Sequence, residues 1–189
     1  MRNTMKAIGL AALTAMALTA CGGGGGGDNY TPHPYDAPPI SEADKNAYLS
    51  AVNNARATGR TCGSLGYFPP APPLTWNNAL YTSAYEHTED MSVSGVFSHI
   101  GSGTESDWTS QVQELGRGSN SNDRGVNNGA FSDNEGVGEN LGKGFGNIGS
   151  VVNAWLKSEG HCQTIMEDYW KTTGIARVGS YWTLELGFK

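Results

Sequence analysis

The chain has 189 residues, enough for one domain with a tail, and its 18 acidic residues outnumber its 12 basic ones to give a formal net charge of −6. An acidic chain gains nothing from a phosphate backbone, so this balance argues against nucleic acid as a partner. The three cysteines, at positions 21, 62 and 162, limit the disulfides that the chain can form.

The first twenty residues have the pattern of an export signal. Arg2 and Lys6 precede an apolar run, Ala7 to Ala20, that is too short for a permanent membrane-spanning helix. A small residue before Cys21 resembles a bacterial lipobox, which predicts that Cys21 becomes the lipidated first residue of the mature chain. The alternative is an ordinary signal peptide cleaved nearby. Cleavage removes both basic residues and no acidic one, so the formal charge falls from −6 to −8.

Residues 21–40 are predicted to be a lipidated cysteine followed by a linker. The six glycines from Gly22 to Gly27 are typical of a flexible tether with an r.m.s. span of roughly 13 Å. Residues 28–40 contain four prolines and no hydrophobic periodicity, so they extend the linker. We therefore expect a protein of the bacterial cell envelope, held by its lipid at the outer membrane or the cell surface.

Two cysteines remain for the folded domain. Disulfides persist in exported proteins, so we predict a bridge between Cys62 and Cys162. It closes a loop of about 100 residues, and the loss of loop entropy in the unfolded chain stabilises the fold by roughly 4–5 kcal/mol. Two buried thiols are the alternative.

The folded domain is predicted to begin at Ser41, which together with Asp44 resembles a helix-capping box. Apolar residues at helical spacing predict three helices, over residues 42–58, 77–93 and 107–115. His87 follows Leu80 by seven residues in the second helix, so we expect it to pack or cap within that helix and leave it out of the candidate site.

The second half of the domain begins with a polar segment, residues 117–136, rich in Gly, Ser, Asn and Asp. We expect this segment to be mobile rather than functional. The pattern beyond it predicts a strand over 137–141, a helix over 148–157 and a hairpin with strands over 174–178 and 181–187. Helices that flank a small sheet in this order indicate a mixed α/β sandwich.

Three residues from separate elements carry the candidate chemistry. His99 follows the second helix, Glu139 lies in a turn bracketed by glycines, and His161 lies just past a helix end. Two imidazoles and a carboxylate suit a metal site or an acid–base group. The alternative is that the two histidines only link the sheet to the helices through hydrogen bonds. Neither the Gly-x-Ser-x-Gly nor the His-Glu-x-x-His motif of hydrolases is present.

The tryptophans divide into two groups by their surroundings. Three lie in core-like patterns: Trp76, Trp155 and Trp182. The other two, Trp108 and Trp170, are expected to be surface aromatics.

Taken in order, several short motifs resemble the CAP superfamily of cysteine-rich secretory proteins, antigen 5 and plant pathogenesis-related proteins, which has many bacterial members. The motifs are Leu74-Thr75-Trp76-Asn77, Phe97-Ser98-His99, Gly138-Glu139-Asn140-Leu141 and the segment from Trp155 to Met166. The resemblance covers Ser41 to Phe188 and identifies residues 41–189 as the CAP domain. It implies the three-layer α-β-α sandwich of that family, an α+β fold.

The family has a cavity that holds two histidines and two acidic residues, and the resemblance places three of them on His99, Glu139 and His161. The position of the second acid is occupied by Ser158, so Glu159 is the candidate substitute if its turn aims it inward.

Some family members bind zinc or another divalent ion through the two histidines, which here are His99 and His161. Imidazole nitrogens suit zinc. Asn140 is expected to hold the turn at Glu139 by side-chain hydrogen bonds.

The resemblance leads to three functional hypotheses. The first is an envelope-anchored, monomeric binding module whose ligand is a lipid, a sterol or a cell-envelope polymer. The second is a metal-assisted hydrolase, protease-like or cleaving an envelope polymer, with His99 or His161 as base and Glu139 as polarising acid. The third is a stable envelope scaffold. The sequence identifies no serine or cysteine nucleophile, which favours binding.

Overall fold

The centre of the fold is a four-stranded sheet that lies between two layers of helices. The structure is a computed structural model that describes residues 31–132 and 136–188. Its helices are α1 (Glu42–Arg56), α2 (Asn78–Ser94), α3 (Trp108–Val112), α4 (Ser121–Asn127), α5 (Ile148–Trp155) and α6 (Glu159–Met166). Its strands are β1 (Arg60–Thr61), β2 (Tyr67–Phe68), β3 (Thr75–Trp76), β4 (Gly138–Lys143), β5 (Thr172–Val178) and β6 (Tyr181–Gly187).

The sheet has the strand order β3-β5-β6-β4, so β4 forms one of its edges. Strands β5 and β6 are the predicted hairpin, β4 runs antiparallel to β6, and β3 runs parallel to β5. The register places Glu139 of β4 directly opposite Glu185 of β6. Two carboxylates therefore lie side by side on one face of the sheet.

Alternating side chains of β6 face two different layers, as the two-residue period of a strand requires. Trp182, Leu184 and Leu186 join the main apolar core. Thr183 and Glu185 point the other way, toward α2, where Thr183 meets Thr88 at 2.8 Å. With helices on both faces, the sheet gives the expected α-β-α sandwich.

The layer formed by α1, α5 and α6 is apolar. Val52, Trp155 and Ile165, one from each helix, are buried against the sheet. The predicted disulfide between Cys62 and Cys162 is confirmed, with 5.5 Å between the two Cα atoms, and both cysteines belong to this core. The bridge ties α6 to the loop after α1.

Helix α2 forms most of the opposite layer, and its ends follow from its sequence. Asn77 caps the first turn by accepting from the backbone N–H groups of Ala79 and Leu80, and Gly95 ends the helix in the left-handed region with φ of 76°. The helix lies very close to β5, because a Cβ atom on Gly174 would stand 2.1 Å from the Tyr81 nitrogen. This close contact brings the polar residues of α2 onto the sheet.

The packed chain begins earlier than the predicted boundary at Ser41. Residues 33–40, which we call the strap, lie against α2 and α4: Tyr35 donates its backbone N–H to Asn128 Oδ1 at 2.7 Å, and Tyr81 donates its hydroxyl to the Pro38 carbonyl at 2.8 Å. The proline-rich half of the predicted linker is therefore part of the domain. The predicted signal peptide, Cys21 and the glycine run lie outside the described residues.

Two other expectations differ from the structure. The polar segment expected to be mobile contains α4, which a reciprocal capping box between Asn120 and Asp123 begins. Trp170 is buried with 5% of its surface exposed, because it packs on Gly138 and donates to the Thr164 carbonyl. Trp108 is exposed, as predicted.

No helix in the described ranges has the length and apolar character needed to cross a bilayer.

Candidate functional site

The candidate site is built around Glu139, which lies in strand β4, as the strand predicted over 137–141 requires, rather than in a turn bracketed by glycines. Its side chain is only 4% exposed, and each of its oxygens has a partner. Oε1 accepts from His99 Nδ1 at 2.7 Å, and Oε2 accepts from Arg124 Nη2 at 2.7 Å. Since both oxygens are engaged, the carboxylate is fixed in one orientation.

Arg124 of α4 is the site residue that the sequence-based prediction missed. It is completely buried, and it also donates through Nη1 to the Ser119 carbonyl at 2.7 Å and through Nη2 to the His99 carbonyl at 3.3 Å. The capping box between Asn120 and Asp123 was the available signal, because it predicts a helix that includes Arg124. Only the tertiary structure pairs this arginine with Glu139.

The charge of Glu139 depends on this surrounding. Burial acts to raise its pKa, but Arg124, His87 and His99 more than offset that effect and lower the pKa to about 2. Glu139 is therefore an anion at neutral pH, although it lies in the protein interior.

His99 connects the buried Glu139 carboxylate to the surface of the protein. Its side chain is 58% exposed, and the hydrogen bond to Glu139 is the main cause that raises its pKa. The bond uses Nδ1, and Nε2 makes no hydrogen bond within the described chain. With Nδ1–H directed at the carboxylate, the neutral ring presents the Nε2 lone pair outward.

His161 lies within α6 and not beyond a helix end as expected. Its Nδ1 lies 3.0 Å from the Ser158 hydroxyl, and burial followed by the nearby charge of His99 lowers its pKa. Asn140 donates to the His161 carbonyl at 3.0 Å, so it holds α6 and not the predicted turn at Glu139.

The two histidines reach the site from opposite layers of the sandwich. Neighbouring side chains of edge strand β4 point to opposite faces of the sheet. Glu139 therefore contacts Arg124 of α4, while Asn140 contacts the His161 carbonyl of α6. Because β4 is an edge strand of the described sheet, His99 and His161 can approach each other around that edge, and the charge of His99 acts on the pKa of His161.

Glu159 does not join these residues. It is exposed, and its carboxylate accepts from the Ser64 backbone N–H at 3.0 Å and from the Ser64 hydroxyl at 2.6 Å. Those two bonds lower its pKa. Helix α6 begins at Glu159, and this start directs the Glu159 side chain toward the loop that follows Cys62. The turn that would have aimed Glu159 into the cavity is therefore not formed.

The fit of this donor set to a divalent ion is partial. Among residues 31–132 and 136–188, no group of three or more His, Cys, Asp or Glu side chains lies close enough together to hold a metal. His99 has the carboxylate partner on Nδ1 that zinc-binding histidines commonly have. His99 and His161 could supply two Nε2 ligands, and any others would come from water or from a bound partner.

Glu139 belongs to a set of buried ionisable residues between α2 and the sheet, which we call the polar layer: Glu86, His87, Arg124, Glu139 and Glu185. Glu86 accepts from the Thr109 backbone N–H and from Asn128 Nδ2, both at 2.7 Å, while Glu185 accepts from the Ser83 hydroxyl at 3.0 Å. Burial raises the pKa of both carboxyls, and for Glu185 the neighbouring Glu139 raises it further.

His87 packs within the fold as predicted. Its side chain is almost fully buried and Nε2 donates to the Ser98 carbonyl at 2.9 Å. Burial, followed by Arg124, lowers its pKa to about 4, so the ring is neutral at pH 7.

Comparisons with known proteins agree on the fold. A family model described as the cysteine-rich secretory protein family, CAP, matches residues 49–184. An extracellular protein containing an SCP domain from Bacillus anthracis has a similar structure, with a TM-score of 0.56 and 18% identity over 82% of this chain and 47% of that chain. This chain thus spans about half the length of that protein.

An outer surface protein from Borrelia burgdorferi is similar over nearly its whole length. Its TM-score is also 0.56, with 16% identity over 83% of this chain and 98% of that chain. No curated protein sequence matches this chain. At these identities the structural neighbours establish the fold and leave the ligand to be argued from the site.

Proposed function

The chain belongs to the cysteine-rich secretory protein (CAP) family, and on that premise we propose that it is an envelope-anchored binding module whose ligand contacts His99. The observation that carries the proposal is that the two ring nitrogens of this histidine have different surroundings. A fixed, buried carboxylate holds one side of the ring, and the other nitrogen faces solvent. A positioned imidazole of this kind recognises a ligand in one orientation.

The chemistry of His99 indicates the class of ligand. Because the pKa of His99 is raised, a larger share of the rings carries a proton near neutral pH than for an ordinary histidine. A protonated ring donates through Nε2 to an oxygen acceptor. The hydroxyl of a sterol, the phosphate of a lipid headgroup and the oxygens of an envelope polymer all offer such an acceptor.

A divalent ion is compatible with the same site. The Nε2 atoms of His99 and His161 would hold it, and bound zinc would act as a Lewis acid toward an oxygen of the ligand. Glu139 would keep the His99 ring in the tautomer that binds metal, and Ser158 would orient His161.

Hydrolysis is the second candidate function, and the hydrogen bond between Glu139 and His99 is the observation that favours it. A carboxylate that orients a histidine is the arrangement of a general base and its support. In this case His99 would take the proton of an attacking water, while Glu139 would stabilise the protonated ring.

Metal analysis of protein purified without chelator tests the ion. We expect a divalent ion in the wild type and its loss in a His99→Ala/His161→Ala double variant. His33→Ala, which removes an exposed histidine outside the site, is the matched control. Equal metal content in all three proteins would show that the two histidines hold no metal.

Mass spectrometry of material extracted from protein isolated from its own envelope tests the binding module. A ligand that accompanies the wild type and the His33→Ala control, and is depleted in His99→Ala, is the expected result. If His99→Ala retains the same ligand in the same amount, the ligand does not depend on His99. Turnover of an envelope polymer by wild type and not by His99→Ala would favour the hydrolase instead.

Radiolabelled palmitate tests the anchor separately. We expect the label on the wild type and none on Cys21→Ala. An unlabelled wild type would exclude lipidation at Cys21 and would leave the results on His99 untouched.

A further inference from the structure

The C-terminal end of α2 and the loop that follows it form an apolar, exposed stretch. Of the nine large apolar side chains that are strongly exposed in the described ranges, four lie within eight positions: Val93, Val96, Phe97 and Ile100, with exposures of 70%, 45%, 47% and 49%. No aspartate, glutamate, lysine or arginine occurs between Asp90 and Glu105. In an acidic chain, an exposed apolar stretch whose only ionisable side chain is His99 marks a contact surface. We call residues 93–100 the apolar loop.

The backbone of the apolar loop is held at both ends. Gly95 ends α2, and the His99 carbonyl accepts from buried Arg124. Immediately after the loop, Gly101 donates its N–H to the Ser119 carbonyl at 2.8 Å. The side chains therefore project from a fixed backbone, so a partner that covers them pays little for ordering the loop.

Residues next to the loop have the chemistry of a membrane interface. The Phe97 and Tyr181 rings lie 6.2 Å apart, and Lys143 Nζ stands 4.7 Å from the centre of the Tyr181 ring. Tyrosine and lysine favour the boundary between hydrocarbon and headgroups, because each combines an apolar body with a polar end. An apolar tip bordered by such residues fits a lipid surface.

The length of the chain that precedes the described residues favours the same partner. Trp108 and Asn127 donate to the His33 carbonyl near the end of α4, while the apolar loop is tied to Arg124 and Ser119 nearer its start. Helix α4 is only about 10 Å long, so these points lie close together. The ten residues 21–30 span at most about 35 Å. A lipid on Cys21 would therefore keep the apolar loop within reach of the bilayer that holds it.

We propose that the apolar loop inserts into the interfacial region of the bilayer to which Cys21 would anchor the chain. The proposal rests on the anchoring stated above, and it places His99, a residue of this loop, at the level of the lipid headgroups. The ligand site would then open onto the membrane, so lipid or sterol could reach His99 without crossing water.

Binding of protein to phosphatidylcholine vesicles tests the loop without the anchor. The chain 22–189 lacks the predicted signal peptide and Cys21 but keeps the compact unit that begins at Thr31, with its disulfide. We expect it to sediment with the vesicles in a salt-insensitive manner, since apolar insertion is not screened. A Val96→Ser/Phe97→Ser variant should bind at least tenfold more weakly, because burial of one large apolar side chain is worth roughly that factor.

The matched control replaces two exposed apolar residues in another region, Leu65→Ser/Tyr67→Ser, and should bind as the parent chain does. Three results would overturn the proposal: no binding by the parent chain, equal binding by the loop variant, or equal loss in the control. A parent chain that self-associates through the loop and ignores vesicles would also overturn it. Palmitate labelling decides the anchor independently, so failure of the anchor and failure of the loop are distinguishable.

Discussion

Leu184 and Glu185 are neighbours in β6 and equally buried, yet they enter opposite environments. Leu184 packs in the apolar layer with Trp155 and Ile165. Glu185 enters the polar layer, where Glu139 lies opposite it and Arg124 is the nearby cation. One face of the sheet follows the rule that apolar residues fill the interior, and the other face departs from it. The face that departs is the one that holds the candidate site.

The contrast has an energetic meaning. Burial of a charge costs several kcal/mol, and the attraction between Arg124 and Glu139 has to offset that cost. An apolar replacement of such a pair is often as stable as the pair itself. The polar layer therefore contributes less to stability than its hydrogen bonds suggest, and what it provides is a fixed anion beneath His99. Stability comes mainly from the apolar layer and its disulfide.

Removal of Arg124 should give the largest loss of stability, because Arg124 is the one arginine among the five residues that define the polar layer. Arg124→Met leaves Glu139 buried without its cation, and we expect a loss of about 3–5 kcal/mol in the free energy of unfolding. Urea unfolding at pH 7 measures it. Arg117→Met is the control, since Arg117 forms an exposed pair with Asp123 worth about 1 kcal/mol or less. Equal losses in both variants would remove the distinction.

The pair of neighbours in β6 tests the comparison directly. Leu184→Ala should cost about 2–5 kcal/mol, because it leaves a cavity in the apolar layer. Glu185→Gln should cost about 1 kcal/mol or less at pH 7, since burial and then the neighbouring Glu139 raise the pKa of this carboxyl and the amide has the same shape. Urea unfolding of both variants measures the difference. A larger loss for Glu185→Gln would mean that Glu185 carries a charge.

The pH dependence of stability should reveal His87. Its pKa is lowered to about 4 in the folded chain, so the unfolded chain binds the proton first as the pH falls from 6.5. The contribution of neutral His87 to the free energy of unfolding is fully present above pH 6.5. It is lost as the pH falls from 6.5 to 4, by about 3 kcal/mol in total. In His87→Gln, which keeps a donor for Ser98, this loss should disappear. Unfolding by urea at pH 7 and pH 4 measures it.

Because the raised pKa of His99 acts in the opposite direction, only the difference between wild type and His87→Gln isolates His87. His99 adds stability that is present at low pH and lost as the pH rises through its folded pKa. Parallel pH profiles for the two proteins would contradict the assignment to His87.

Much of the fold could be predicted from local patterns. Helices α1 and α2, the β5–β6 hairpin and the disulfide follow from apolar spacing, capping residues, turn residues and cysteine count, and the structure confirms them. These are the elements whose stability depends on their own sequence or on the apolar layer. Helix α6 was missed because a glycine and a histidine near its start resemble the end of a helix.

The polar layer could not be predicted in the same way. Arg124 lies in a segment of Gly, Ser, Asn and Asp, a composition that indicates a loop unless tertiary partners bury it. Glu86 and Glu185 look like surface residues, because nothing in their neighbourhood along the chain pairs them. The motifs around His99 and Glu139 were sufficient to predict these two site residues. Glu159 could not be placed from its motif, because the start of α6 directs its side chain to Ser64.

The strap also has a mechanical consequence. It is the part of the domain nearest along the chain to Cys21, and it is fastened to Asn127 and Asn128 at the end of α4. Three residues earlier, the same helix supplies the arginine that fixes Glu139. A pulling force applied to the N-terminal end would therefore load α4 before it reached the sheet or the disulfide. Under the proposed anchoring at Cys21, tension from the envelope would act first on the helix that carries Arg124.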